Sequence, residues 1–209
     1  MNKSERFFDR TSRMSNSEPS RSALKIMECT KEHLKMDNHI LDFGCGSGAI
    51  TNKLSNSVQK MDAIDFSKGM IRSAKKQAED DSISNVKYSQ TTIFDDRFRE
   101  NTFDVIVSFN VLHYIEDMPL LMKRINTLLK PKGIFISSTV CLKEKKSGIR
   151  LLMWLLSKMR IVPKIFFYKK SDLENFITKE GFDLIKSEAI SRLPEYFIIG
   201  EKRKLPAAL

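Results

Sequence analysis

Ile40-Leu41-Asp42-Phe43-Gly44-Cys45-Gly46-Ser47-Gly48 is the stretch whose reading decides the fold. A short apolar run carries one acid and then opens into three glycines spaced one residue apart. Glycine permits tight turns and close approach of the backbone to a ligand. A helix that starts directly after such a turn aims its free N–H groups at whatever lies in front of it. Strand, glycine turn and helix in that order read as a nucleotide-cofactor loop. Asp42 narrows the ligand. A carboxylate ahead of the glycines repels a pyrophosphate and attracts an amino group. The loop therefore suits a zwitterionic ligand better than a dinucleotide.

Outward from the loop, strands and helices alternate. His39–Phe43 predicts the first strand, and residues 47–57 a helix with Ile50 and Leu54 on one face. Residues 61–65 predict a second strand ending in Asp65, followed by a helix over 68–79 with Met70, Ile71 and Ala74 turned inward. Val86–Gln90 is a third strand. Phe103–Phe109 is nearly all apolar, as a strand buried on both faces is. Pro119 opens a helix to residue 130, which Lys130-Pro131-Lys132-Gly133 ends. Residues 134–139 make a fifth strand. This alternation predicts a doubly wound sheet with right-handed crossovers.

The flanks read differently. Residues 1–19 are a polar lead-in with an aromatic pair, Phe7-Phe8-Asp9-Arg10, and Pro19-Ser20 starts a helix to about residue 36. Residues 147–160 predict an amphipathic helix loaded with Leu, Met and Trp, and Phe166-Phe167-Tyr168 follows Pro163. Ser171-Asp172-Leu173-Glu174 reads as a capping box opening a helix that ends at Gly181. Residues 182–190 and 196–201 are two closing strands. The expectation is one domain over 1–209: an N-terminal helical segment (1–37), a cofactor-binding core (38–140), a lid or substrate insertion (142–170), and a closing helix and strands (171–209).

At 209 residues and 41% hydrophobic content, the chain can bury a sizeable core and is not disordered. Cys29, Cys45 and Cys141 are odd in number and unlike any zinc spacing, which fits a reducing, cytoplasmic setting. The first residues lack the pattern of a secretory signal, and no apolar run reaches membrane-spanning length. The net charge of +10 admits nucleic acid, an anionic membrane surface or an anionic substrate as partner.

Ligands of doubly wound sheets sit beyond the carboxyl ends of the strands. Two further features fall there. Asp65 ends the second strand about twenty residues after the loop, where a carboxylate can accept two hydrogen bonds from a ribose diol. Ser108-Phe109-Asn110-Val111-Leu112-His113-Tyr114 ends the fourth strand and faces the same crevice.

Taken as a set with Asp65-Phe66-Ser67-Lys68-Gly69-Met70, Phe103-Asp104-Val105-Ile106 and Leu129-Lys130-Pro131-Lys132-Gly133, these motifs resemble the class I S-adenosylmethionine-dependent methyltransferases over residues 38–140. The resemblance is to the small-molecule enzymes of the ubiquinone and menaquinone type. It implies a Rossmann-like, doubly wound α/β fold: a mostly parallel seven-stranded sheet with an antiparallel C-terminal strand. It implies S-adenosyl-L-methionine as cofactor and S-adenosyl-L-homocysteine as product. By the same resemblance Gly44, Cys45, Gly46 and Gly48 pass beneath the methionine and ribose portions, and Asp42 approaches the amino group directly or through water. Asp65 holds the ribose hydroxyls, Phe66 and Met70 lie near the adenine, and Asn110 lines the methionine end. Two positions depart from the pattern. Thr92 stands where many relatives place an acid for the adenine amino group, leaving its hydroxyl and the Ile93 N–H for that contact. Lys132 stands where glycine is frequent, which reads as a surface change.

Methyl transfer is a direct displacement, so the protein mainly aligns the reacting atoms. A base is needed only where the acceptor must lose a proton. His113 is the candidate, because an imidazole titrates near neutrality. His33 and His39 are expected to be structural or exposed, and no metal constellation is seen. The apolar load of residues 142–170 predicts a small apolar or aromatic acceptor under a lid. The flanking lysines and arginines allow contact with an anionic membrane surface through 143–160. An RNA or protein methyltransferase ranks below this, for want of an RNA-binding module or an aromatic-interleaved basic stripe. A non-catalytic S-adenosylmethionine-binding protein is the third alternative. The oligomeric state is not legible.

Overall fold

The structure is a computed structural model and describes residues 3–12, 20–144, 148–159, 161–191 and 193–204. Seven strands form one sheet in the order β3-β2-β1-β4-β5-β7-β6. These are β1 (His39–Phe43), β2 (Lys60–Asp65), β3 (Val86–Gln90), β4 (Phe103–Phe109), β5 (Leu129–Val140), β6 (Phe182–Ala189) and β7 (Glu195–Lys202). β1 is flanked by β2 and β4, both parallel to it. The strand order therefore reverses between β1 and β4, and a crevice opens there beyond the carboxyl ends. β7 runs antiparallel to both β5 and β6, so the fold is the one expected.

Helices cover both faces. α2 (Arg21–Lys31) and α3 (Ala49–Ser55) bury Ile26, Met27 and Leu54 against Ile40, Val105, Val107 and Ile136. On the opposite face α5 (Met118–Leu128) and α7 (Lys170–Lys179) bury Leu121, Ile125 and Ile177 against Leu41, Ile106 and Phe135. Ile40 and Leu41 thus serve opposite faces, as successive strand residues must. α4 (Lys68–Asp80) lays Ile71, Ala74 and Ala78 against Ala63 and Tyr88. Caps set the starts: Ser20 Oγ accepts from Ala23 N (3.2 Å), Ser67 Oγ from Met70 N (3.1 Å) and Asp117 Oδ1 from Leu120 N (2.9 Å).

Three local readings are corrected. The polar lead-in is a helix over its described part, α1 (Lys3–Thr11). The Lys130-Pro131-Lys132-Gly133 run does not separate helix from strand. β5 already begins at Leu129, and the run bulges out between two stretches of pairing with β4. Lys130 Nζ anchors the bulge to Asp104 at 2.8 and 2.9 Å, and Lys132 takes φ +64°. Finally, α7 starts two residues earlier than Ser171 as its cap would set it. Asp172 Oδ2 accepts from Lys169 N (2.9 Å), so the N-cap is Lys169 and only the acidic half of the box is made.

Candidate active site

The glycine loop is anchored at its root. Gly44 N and Cys45 N both donate to the Ile64 carbonyl, at 2.8 and 3.0 Å. Gly44 has φ +80°, and a Cβ there would lie 2.3 Å from Val111 Cγ2, so the loop runs hard against the chain leaving β4. Gly46 also has a positive φ, +55°, yet a Cβ on it would meet nothing within 4 Å. Its bare backbone borders open space at the switch point, room of the kind a ligand needs.

Asp65 ties this loop to the next element. Its Oδ2 accepts from Gly46 N (3.1 Å) and its Oδ1 from Ser67 N (2.8 Å). Burial raises its pKa, while the N–H donations from Ser67 and Gly46 pull the other way. Asp42 lies deeper. It is 2% exposed, and its Oδ2 accepts from Thr51 Oγ1 on α3 at 2.6 Å. Burial pushes its carboxyl up to about 7, against the pull of the Thr51 bond. The Cys45 thiol is pushed well above its ordinary value by burial, and also by Asp42 and Asp65, so it stays protonated.

Phe66, Met70, Thr92 and Ile93 gather around the carboxyl ends of β2 and β3. Phe66 and Thr92 are exposed and Met70 is half-buried. Ile93 differs: its side chain is wholly in the core with the α5 residues, so only its backbone is left to border the site. Phe94 beside it is 46% exposed, a second open phenyl that the sequence reading passed over. The β3–β4 connection is held by Arg124 of α5. Its Nε donates to Ile93 O (3.1 Å), and its Nη2 donates to Asp95 O (3.1 Å) and Phe98 O (3.0 Å). Nothing in the sequence distinguishes this arginine from the others on helix surfaces.

At the end of β4, Asn110 takes φ +58° and donates its N–H to Ser138 O at 2.8 Å. Glu195 Oε1 accepts from Ser138 Oγ (3.1 Å) and Asn110 Nδ2 (3.4 Å). This buried carboxylate lies at the start of β7, distant in sequence, and no motif announced it. His113 sits in a single 3-10 turn, Leu112–Tyr114, its ring 4.1 Å from that of Tyr114. Its carbonyl accepts from Phe166 N at 2.8 Å. Its Nδ1 is buried with no hydrogen-bond partner among the described residues. Burial lowers its pKa to about 4, which corrects the expected near-neutral titration: the ring is neutral at pH 7. The hydroxyls of Ser108 and Ser137, side by side in register, are likewise buried and unpartnered among the described residues.

α1 spans the two ends of this crevice. The Phe8 ring meets Phe66 at 5.5 Å and Tyr114 at 5.4 Å, both edge-to-face. Asp9 Oδ1 accepts from Ser67 Oγ (2.6 Å) and Gly69 N (2.8 Å) at the start of α4. Those bonds, the Ser67 one first, hold its carboxyl below the ordinary value. Gly69 leaves room for this contact, since a Cβ on it would lie 2.9 Å from Asp9 Cα. Only the Phe7-Phe8-Asp9 cluster hinted at such a role.

Beyond α1 a cavity of about 590 Å³ opens between α1, α6 (Gly148–Lys158) and residues 161–167, lined by Phe7, Trp154, Ile161, Pro163 and Phe167 among others. Leu151, Leu152, Trp154 and Leu155 of α6 are exposed. Among the described residues no His, Cys, Asp and Glu group could hold a metal ion, and no helix is long and apolar enough to cross a membrane.

A family model described as a methyltransferase domain matches residues 34–170, and the chain belongs to that family. It is 31% identical over 153 residues to the mitochondrial arginine-hydroxylase NDUFAF5 of Danio rerio, covering 69% of this chain and 45% of that protein. It is 31% identical over 101 residues to the ubiquinone biosynthesis O-methyltransferase of Bradyrhizobium diazoefficiens, covering 48% of this chain and 39% of that one. The chain thus spans less than half the length of these curated relatives. Among solved structures, the YcgJ protein of Bacillus subtilis matches with a TM-score of 0.70 at 15% identity, covering 86% of this chain and 98% of that one. At that identity the likeness shows the fold.

Proposed function

We propose that this chain transfers a methyl group from S-adenosyl-L-methionine to a small apolar or aromatic acceptor, leaving S-adenosyl-L-homocysteine. The observation that carries the reading is the Asp65 carboxylate bonded to the Gly46 N–H, with open space in front of that glycine. An acid and a bare loop backbone side by side offer acceptors for a ribose diol and a close backbone surface for the rest of the nucleoside. Phe66, Met70, Thr92 and the Ile93 backbone would border the adenine. Asp42, sunk beneath the loop, would reach the amino group through water more readily than directly. Asn110 would line the methionine end.

S-adenosylmethionine, when bound, supplies a methyl group already activated on a sulfonium. The protein's share is then alignment and exclusion of water. α1 roofs the crevice through Phe8, and His113, neutral but made a weak base by burial, would accept a proton only from an acceptor that gives it up readily. We read residues 142–170 as the lid of the acceptor cavity in a single-domain protein. The exposed apolar side of α6 supports contact with an anionic membrane surface, which flotation with phosphatidylglycerol vesicles tests. The arginine-hydroxylase relative keeps a protein acceptor as the second reading.

Isothermal titration with S-adenosylmethionine tests the core of this proposal. Wild type should bind. Asp65→Ala should lose about a hundredfold in affinity, as expected for removing charge-assisted hydrogen bonds. No binding by wild type would sink the reading. A radiolabelled-methyl screen over extract fractions then separates small-molecule from protein acceptors.

A further inference from the structure

The walls of the α1–α6 cavity carry a charge pattern as well as an apolar one. Its charged lining residues are Lys158 and Lys164, and no carboxylate lines it among the described residues. Lys164 is already matched, with its Nζ 2.6 Å from Glu116 Oε1 and 4.6 Å over the Phe166 ring. Lys158, in the last turn of α6, has no carboxylate partner among the described residues, and its ammonium lies 5.7 Å from the Trp154 ring centroid. A lysine stem laid over apolar surface with its head in water is ordinary. What sets Lys158 apart is its place on the rim of a ligand-sized concavity without an acid on its walls, in a protein of net charge +10. Such a rim raises the local potential and draws anions toward it. A neutral acceptor would leave the ammonium unused, and a cationic one would be repelled.

We propose that the acceptor is an amphiphile, with an apolar body among Phe7, Trp154 and Phe167 and an acidic group set against Lys158. The inference rests on reading this cavity as the acceptor site. The cavity adjoins the reacting end through packed rings: Phe7 on its wall lies 5.3 Å from Phe8, and Phe8 abuts Tyr114, the neighbour of His113. The size fits, since pockets for small ligands run to roughly 300–1,000 Å³, mostly apolar with a few polar groups that fix orientation.

Trp154 is the chain's one tryptophan, so its fluorescence reports on the cavity without any need for turnover. The probes are decanoate, 1-decanol and decyltrimethylammonium, each titrated into the full chain at monomeric concentration. Decanoate should bind about tenfold more tightly than decanol, with the cation weakest and the gap narrowing as salt is added. Lys158→Gln should bring decanoate down to the level of decanol and leave decanol unmoved, while Lys158→Arg keeps the preference. Lys158 is exposed at a helix end, and circular dichroism checks that the variants fold. Equal affinities for the three probes would overturn the proposal. So would a decanoate preference that survives Lys158→Gln, or a Trp154 response to phosphatidylglycerol vesicles with none to decanoate. Calorimetry with S-adenosylmethionine on the same preparations separates the two levels. Cofactor binding without a decanoate preference overturns the acidic acceptor only, whereas no cofactor binding by wild type overturns the reading beneath it.

Discussion

Asp42 and Asp65 are both acids near the glycine loop, and their surroundings give them different work. Asp65 is bonded to two backbone N–H groups at the crevice, whereas Asp42 is buried with one hydroxyl donor. Burial without a cation favours the neutral acid, and the Asp42 carboxyl rises to about 7. The consequence for stability has a definite sign. A folded-state pKa above the unfolded value near 4 means that the folded state holds the proton more tightly. The stabilising contribution is complete below about pH 4 and is lost as pH rises through about 7. Asp42→Asn keeps an acceptor for Thr51 and removes the titration. It should therefore stabilise the ligand-free protein by roughly 2–4 kcal/mol at pH 8. Thermal melts at pH 8 and at pH 4 check this. A gain of equal size at both would rule out the ionisation as its cause. The same substitution should weaken cofactor binding, so stability and function oppose each other at this residue.

The elements show what the sequence could and could not tell. Strands buried on both faces, such as Phe103–Phe109, announce themselves by near-continuous apolar runs, and the glycine loop announces its own turn. α1 did not, because its helix is short and polar and gains its place only by docking. Asp9 makes that docking, accepting from Ser67 Oγ and Gly69 N at the start of α4, sixty positions away along the chain. Asp9→Ala should cost about 1 kcal/mol, the usual worth of a lost helix cap, and should make α1 a faster target for limited proteolysis. An unchanged cleavage rate would mean that Phe8 alone holds the helix. Glu195 and Arg124 were illegible for the same reason as Asp9: their partners are distant in sequence. The bulge in β5 is a different kind of miss. Proline and glycine signal a break, yet here the pairing resumes at Ile134 after the excursion. Lys132 pays for that excursion with φ +64°, a left-handed backbone that costs a non-glycine residue about 1–2 kcal/mol. Lys132→Gly removes the strain at some cost in chain entropy, so a net gain of about 0.5–1 kcal/mol is expected. Chemical denaturation reads this directly. A loss of stability would show that the exposed lysine side chain contributes more than its backbone strain.

At the scale of the whole molecule, residues 142–170 leave the sheet and return to nearly the same point. Lys143 N donates to Tyr168 O at 3.3 Å, and Lys170 N to Glu144 Oε1 at 2.7 Å. The two ends of the excursion are thus already joined by hydrogen bonds, while α6 between them keeps Leu151, Leu152, Trp154 and Leu155 exposed. The crevice proposed for the cofactor is built from β1, β2, β3, β4 and α1, none of which lies in the excursion. Replacing residues 145–167 by a short glycine linker from Glu144 to Tyr168 should therefore leave a folded protein, because closing a short loop between adjacent ends costs little. Tyr168 is kept because its hydroxyl donates to Ile115 O at 2.9 Å. The shortened chain should bind S-adenosylmethionine within about threefold of wild type, a change under about 0.7 kcal/mol. Transfer to an apolar acceptor should fall by about a hundredfold or more, since the walls that position the acceptor are gone. Calorimetry and a radiolabelled-methyl assay on the same protein read the two outcomes separately. If both fell together, Phe166 at the His113 carbonyl would be supporting the cofactor end as well, and cofactor and acceptor sites would have to be treated as one unit. If neither fell, the acceptor would lie elsewhere, and the cavity beside α6 would have no part in the reaction.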